Sequence, residues 1–127
     1  MPRAKNAVIA GDYEGRRVVC NGNLLFFDKF LSTPIRLDKN TVKSYNVVDQ
    51  NAHKDVVSLF TRGLIGNFLL GGVGMAAGVL SAKNNDVFIV VVEFNNGDKS
   101  LIEIDRKIYT TIHIFHHHYH IWSYIHL

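Results

Sequence analysis

Apolar residues recur at every second position in several short runs, and two Asn-Gly pairs separate four of them. Asn21-Gly22 stands between residues 17–20 and 24–27, and Asn96-Gly97 between residues 87–94 and 99–104. Each pair predicts a tight β-hairpin, because the favoured turn needs positive φ at both central residues. In residues 87–94, Phe88, Val90, Val92 and Phe94 alternate with Val87, Ile89 and Val91. Both faces of that strand are apolar, so both have to be covered. Residues 33–37 and 41–48 give two further strands, with Asp38-Lys39-Asn40 as the turn between them.

After Asp105, a candidate N-cap, the period changes. Ile108, Ile112, Phe115, Tyr119 and Trp122 follow one another at spacings of four and three, which at about 100° per residue is one stripe of a helix. An amphipathic helix over about 105–125 is predicted, laid on the sheet. The whole chain, 1–127, reads as one α+β domain: a curved antiparallel sheet or partial barrel capped by a C-terminal helix. A glycine-rich helical hairpin is expected as an insertion at about 59–83.

That insertion contains twenty consecutive uncharged residues between Arg62 and Lys83, six of them glycine. Gly66, Leu70, Gly74, Gly78 and Ala82 stand four apart, so a helix here carries a groove of small residues suited to close packing or to a membrane. Three readings compete. A helix of this length spans about 30 Å, enough to cross a bilayer, although the predicted strands on either side would then be separated. With Gly71-Gly72 as a turn, two short helices at about 59–70 and 74–82 form a hairpin and leave the sheet intact. Finally, Gly72-Val73-Gly74-Met75-Ala76-Ala77 matches a dinucleotide fingerprint with Glu93 as the later acid, but a hairpin turn follows Glu93 where a crossover helix belongs.

Composition narrows the class of behaviour. The 127 residues are 47% hydrophobic and 20% charged, which excludes bulk disorder. A formal charge of +3 with scattered Lys and Arg gives no nucleic-acid footprint, and no direct nucleic-acid binding is expected. Four apolar residues before Gly11-Asp12 are too few for a signal peptide, and Cys20 is the single cysteine. Both favour a cytoplasmic protein, with membrane association as the alternative.

Six of the seven histidines lie in the last fifteen residues. On an α-helix His113, His116, His117 and His120 share one face, roughly opposite the apolar stripe, with two pairs spaced i,i+4. Such pairs can chelate Zn²⁺, with His53, Asp55 or Cys20 as a further ligand. The same string also fits a solvated polar face with adventitious metal affinity, a shifted reading frame or a cloning scar. No nucleophile stands near a base at a recurring spacing, and the chain reads as non-enzymatic.

Arg62-Gly63, Gly71-Gly72, Gly74, Ala77-Gly78, Ser81-Ala82-Lys83, Val90-Val91-Val92-Glu93-Phe94 and Lys99-Ser100-Leu101-Ile102-Glu103 resemble small proteins of Gram-positive bacteria and their prophages. These resemble pleckstrin-homology or GRAM-like domains with a glycine-rich insertion. The resemblance covers about residues 60–109 and brings no catalytic residues. It implies a binding module with a protein partner, in a group that includes phage inhibitors of host defence such as anti-CRISPR proteins. The tail after Phe115 departs from that pattern. The expectation is an interaction module acting by protein contact, with zinc on its terminal helix as a candidate cofactor. The alternative is a module that contacts or spans the bilayer through its glycine-rich segment.

Overall fold

The computed structural model describes residues 3–48, 50–63 and 87–117. Seven strands form one antiparallel sheet: β1 (Ala7–Gly11), β2 (Arg17–Asn21), β3 (Leu24–Asp28), β4 (Ile35–Leu37), β5 (Val42–Val47), β6 (Phe88–Phe94) and β7 (Lys99–Ile104). Their spatial order is β4-β3-β2-β1-β7-β6-β5. Pairing of β1 with β7 joins two meanders, and the sheet is nearly closed, with β4 and β5 at its free edges. Together with the helix after β7, this is the expected α+β arrangement.

Both predicted hairpins form, each with a different turn. Asn21 pairs with Leu24, so the first turn is centred on Gly22 and Asn23, with Gly22 at φ +64°. Glycine at the first central position suits the mirror-image turn that follows strand twist. The second is a longer loop through residues 95–98, closed by Phe94 N to Asp98 O at 2.8 Å, with Gly97 at φ +96°. β1 is an addition to the predicted strands. Its four apolar residues carry no turn signal, and it is fixed by pairing with a strand far along the chain.

All seven residues of β6 are buried, as its double apolar face requires. Phe88, Val90, Val92 and Phe94 point into the barrel, with Leu25, Phe27, Ile102 and Ile104. Ile89 and Val91 face outward, into a second core with Ala10, Leu101, Val56 and Phe60. The last two belong to α1 (His53–Thr61), which packs on the outside of the β1-β7-β6 limb. This helix starts six residues before the expected position of 59. Val56 and Phe60, one turn apart, anchor it, and Gly63 at φ +69° follows its end. Residues 64–86, with the rest of the expected hairpin, lie outside the described residues.

α2 (Arg106–Thr111) begins where predicted. The Asp105 carboxylate accepts from Ile108 N at 2.9 Å, and Asp105 also exchanges two hydrogen bonds with Asn6. A π-helix (Ile112–His117) continues it. Its wider turn advances each residue by less than an α-helix does, so the predicted stripe loses phase. Ile108 and Ile112 are buried, but Phe115 is 54% exposed.

Candidate interaction surface

The two limbs of the barrel are covered differently. Along β2 and β3, Val18, Cys20, Leu25 and Phe27 face the inner core. Their neighbours Val19, Leu24 and Phe26 therefore point outward. These three are half-buried and belong to neither core, whereas the outer face of β1-β7-β6 is covered by α1. Val19 stands directly opposite Phe26, and Phe26 opposite Arg36, so the apolar strip carries a guanidinium at its side. Arg36 is exposed and reaches Asp38 at 3.5 Å, and Arg17 lies opposite Asp28. Apolar side chains with arginine at the margin are the composition of protein-binding surfaces.

One end of the barrel is plugged by Tyr13, whose ring packs edge-on against Phe94 at 5.2 Å and tilted against Phe27 at 6.3 Å. Its hydroxyl donates to Asp98, so the plug ties the loop before β2 to the loop before β7. That hydrogen bond, with burial, raises the Tyr13 pKa. From the same region Arg16 Nη1 donates to Thr33 O at 3.1 Å, holding the β3–β4 loop.

At the other end, the π-helix meets the β2–β3 turn. His116 Nε2 donates to Asn23 O at 3.0 Å, and its ring meets Tyr45 edge-on at 6.0 Å. α-Helical spacing places His116 opposite the apolar stripe, but the π turn directs it to this packed corner. An Nε2 that donates to a carbonyl has no lone pair for a cation, which leaves Nδ1. His113 lies over Tyr109 at 6.1 Å, and Tyr109 stacks on Phe88 at 4.1 Å. The His117 side chain and His120 lie outside the described residues, as do Gly66, Gly74, Gly78 and Ala82. Of the suggested further ligands, Cys20 Sγ is 3.6 Å from Thr111 Oγ1 and His53 Nε2 is 3.2 Å from Val48 O. Among the described residues no three His, Cys, Asp or Glu side chains come together as a metal site.

Tyr45 was not singled out by the sequence pattern. Its hydroxyl oxygen is buried with no hydrogen-bond partner among the described residues. Burial, with the Asp38 charge as a lesser cause, raises its pKa far above the ordinary tyrosine value. The folded chain therefore holds this proton more tightly than the unfolded chain does. That contribution is complete below about pH 10 and is lost as pH rises beyond it. Tyr45→Phe removes a buried hydroxyl that no described residue pairs and is expected to stabilise by about 1 kcal/mol near neutral pH. Thermal melts from pH 7 to 11 check both points: the variant should melt higher at neutral pH and lose less stability above pH 10.

Glu93, the acid that completed the dinucleotide pattern, is engaged elsewhere. It lies 3.9 Å from Lys99 Nζ and accepts from Ser44 Oγ at 3.4 Å. The glycines of the pattern fall outside the described residues. A shallow depression lined by Gly11, Asp12, Phe60, Gly63, Gly97 and Lys99 opens beside α1. No described helix is long and apolar enough to cross a membrane, and the membrane reading of the glycine-rich segment falls on residues outside the description.

The chain matches no protein-family model, no curated protein and no solved structure.

Proposed function

We propose that this chain is a non-enzymatic interaction module, a PH- or GRAM-like barrel that acts by occupying the surface of a protein partner. The observation that carries the reading is the outer face of β2-β3-β4, where Val19, Leu24 and Phe26 lie outside both cores beside Arg36. Half-exposed apolar residues on a rigid sheet bind at little entropic cost, and aromatic and arginine side chains dominate such interfaces. The seven-strand order and the helix after β7 support the PH-like reading. The resemblance of residues 60–109 extends it to a prophage inhibitor of host defence of the anti-CRISPR kind.

Inhibition of DNA cleavage by a Cas9-type nuclease tests that form directly. The purified chain should inhibit, and Phe26→Asp should weaken inhibition by roughly thirtyfold, the loss of one hot-spot residue. The variant's melting temperature controls for folding, since Phe26 packs in neither core. An unaltered nuclease removes the anti-CRISPR form. Undiminished potency of Phe26→Asp removes this face as the interface.

Zinc on the terminal helix is the second part of the proposal, resting on the sequence spacing of His113, His116, His117 and His120, with His116 ligating through Nδ1 because its Nε2 donates to Asn23 O. Metal analysis of untagged protein should find zinc at up to one equivalent, falling when His116 and His120 are replaced together. Affinity should drop on acidification, because ligating imidazoles must be neutral and protons compete with the metal. Metal-free protein after purification without chelator would reduce these residues to a polar face.

A further inference from the structure

We propose that Asn21 is a site of spontaneous covalent modification, deamidation through a cyclic imide, and that the fold selects it over the second Asn-Gly pair at Asn96. Glycine follows asparagine at only these two positions of the chain. In the reaction the glycine amide nitrogen gives up its proton to solvent base and attacks the asparagine Cγ. The N–Cγ bond forms, the Cγ–Nδ2 bond breaks, and ammonia leaves with a proton from solvent. Water then opens the imide at either carbonyl. Opening at Cγ leaves aspartate, whereas opening at the backbone carbon leaves isoaspartate, with the chain running through the former side chain. No oxidation or reduction takes place, and water is the only co-reactant. A following glycine favours the attack because it has no Cβ to crowd the nitrogen as it approaches Cγ.

The two pairs present this chemistry with opposite geometry. At Asn96 both ends of the carboxamide are held: Nδ2 donates to Asp98 Oδ2 at 3.0 Å, and Oδ1 accepts from Asp98 N at 2.9 Å. The attacking nitrogen is held as well, since Gly97 N donates to Phe94 O at 3.0 Å. Deprotonating it would break that bond beside the Asp98 carboxylate, which opposes a further negative charge. Asp98 is itself anchored by the Tyr13 hydroxyl. At Asn21 the restraints are missing among the described residues, where neither its carboxamide nor the Gly22 amide makes a hydrogen bond. Asn21, Gly22 and Asn23 are all exposed, and the space where a Gly22 Cβ would stand is open for 4 Å around. Asn21 and Leu24 are the last pair of the hairpin, so turning the Asn21-Gly22 peptide into the attack geometry disturbs one end position of the ladder.

The product falls on the outer face of the sheet. Alternation puts Asn21 on the side of Val19, directly opposite Leu24, at the turn end of the hairpin and away from the Arg17-Asp28 pair. Deamidation adds a carboxylate to that face. Isoaspartate also inserts one backbone carbon ahead of the turn, which displaces Asn23, whose carbonyl accepts from His116 Nε2 at 3.0 Å. Any effect on partner binding rests on the protein-binding reading of this face; the chemistry at Asn21 does not.

The full chain, aged while folded in mildly alkaline buffer and digested with trypsin beside a fresh sample, tests the proposal by mass. Cleavage after Arg17, Lys29, Lys83 and Lys99 puts the two pairs on separate fragments, 18–29 and 84–99. Fragment 18–29 should gain about one mass unit at Asn21 and split into two chromatographic products, aspartate and isoaspartate. Asn96 should react more slowly by roughly tenfold or more, because three hydrogen bonds have to open first. In concentrated urea the two rates should converge, since the restraints at Asn96 belong to the fold. Gly22→Ala should slow modification of Asn21 by roughly tenfold. The readout is mass and does not depend on nuclease inhibition, so failure here and failure of the protein-binding reading are distinguishable. The proposal is overturned if fragment 18–29 of the folded chain keeps its mass while the chain in urea is modified, or if the gain lies at Asn23. It is also overturned if Asn96 reacts as fast as Asn21 in the folded chain, if the preference for Asn21 persists undiminished in urea, or if Gly22→Ala is modified as fast as the parent.

Discussion

Gly11→Val is expected to leave the chain largely unfolded at temperatures where the parent is folded. Gly11 ends β1 with φ +85°, and a Cβ there would stand 2.5 Å from the Lys99 carbonyl oxygen and 2.8 Å from the Phe60 ring. The carbonyl is part of the β1-β7 pairing, which joins the two meanders, so it cannot move without opening that seam. Phe60 is the anchor of α1 in the outer core. Strain and overpacking together should destabilise by on the order of 2 to 6 kcal/mol, a large part of the stability of a domain this size. Gly22→Ala is the matched control. It shares the positive φ, at +64°, but its Cβ would meet nothing within 4 Å. A loss of about 1 kcal/mol is expected there. Urea denaturation of both variants separates close packing from backbone strain, and equal losses would show that the Gly11 contact does not exist.

Glu93→Ala is the second large effect, expected to cost about 3 kcal/mol. Glu93 and Lys99 flank the β6–β7 loop as a cross-strand pair, with side chains 9% and 13% exposed. Removing the carboxylate leaves an ammonium with little water and no other carboxylate within 4.0 Å among the described residues, and that penalty exceeds the net value of the pair itself. Replacing both residues, Glu93→Leu with Lys99→Met, should therefore recover most of the loss. A double-mutant cycle measured by chemical denaturation checks this. Additive losses would mean that the two groups do not interact, and a negligible loss for Glu93→Ala would mean that water reaches the site.

The strands around the first Asn-Gly pair and the doubly apolar β6 were legible because their signals are local. Alternation assigns side chains to faces, and a seven-residue strand apolar on both faces has to be covered twice. Asp105 was legible for a similar reason, since a capping carboxylate acts on an amide three residues away. β1 was not, because four apolar residues acquire a strand's geometry only when β7 arrives to pair with them. The start of α1 at His53 was equally hidden. Its two anchors, Val56 and Phe60, have meaning only against the outer face of the sheet.

The candidate surface shows the same division. Sequence alternation alone indicates that Val19 and Phe26 point away from Val18 and Phe27. It does not indicate which of the two faces a helix covers, and the structure places α1 on the opposite limb. The histidines illustrate the converse: their spacing on an ideal helix gave one shared face, but a π turn directs His116 to Asn23 and Tyr45. Sequence by itself determined the α+β class, most strands and the cap, because propensity, alternation and capping act within a few residues. Tertiary structure alone decided the closing β1-β7 seam, the largely covered Glu93-Lys99 pair, the buried Tyr45 hydroxyl that no described residue pairs, and the exposure of Phe30 and Leu31. Each of these depends on which distant segments exclude water from a given atom, and no short-range pattern encodes that.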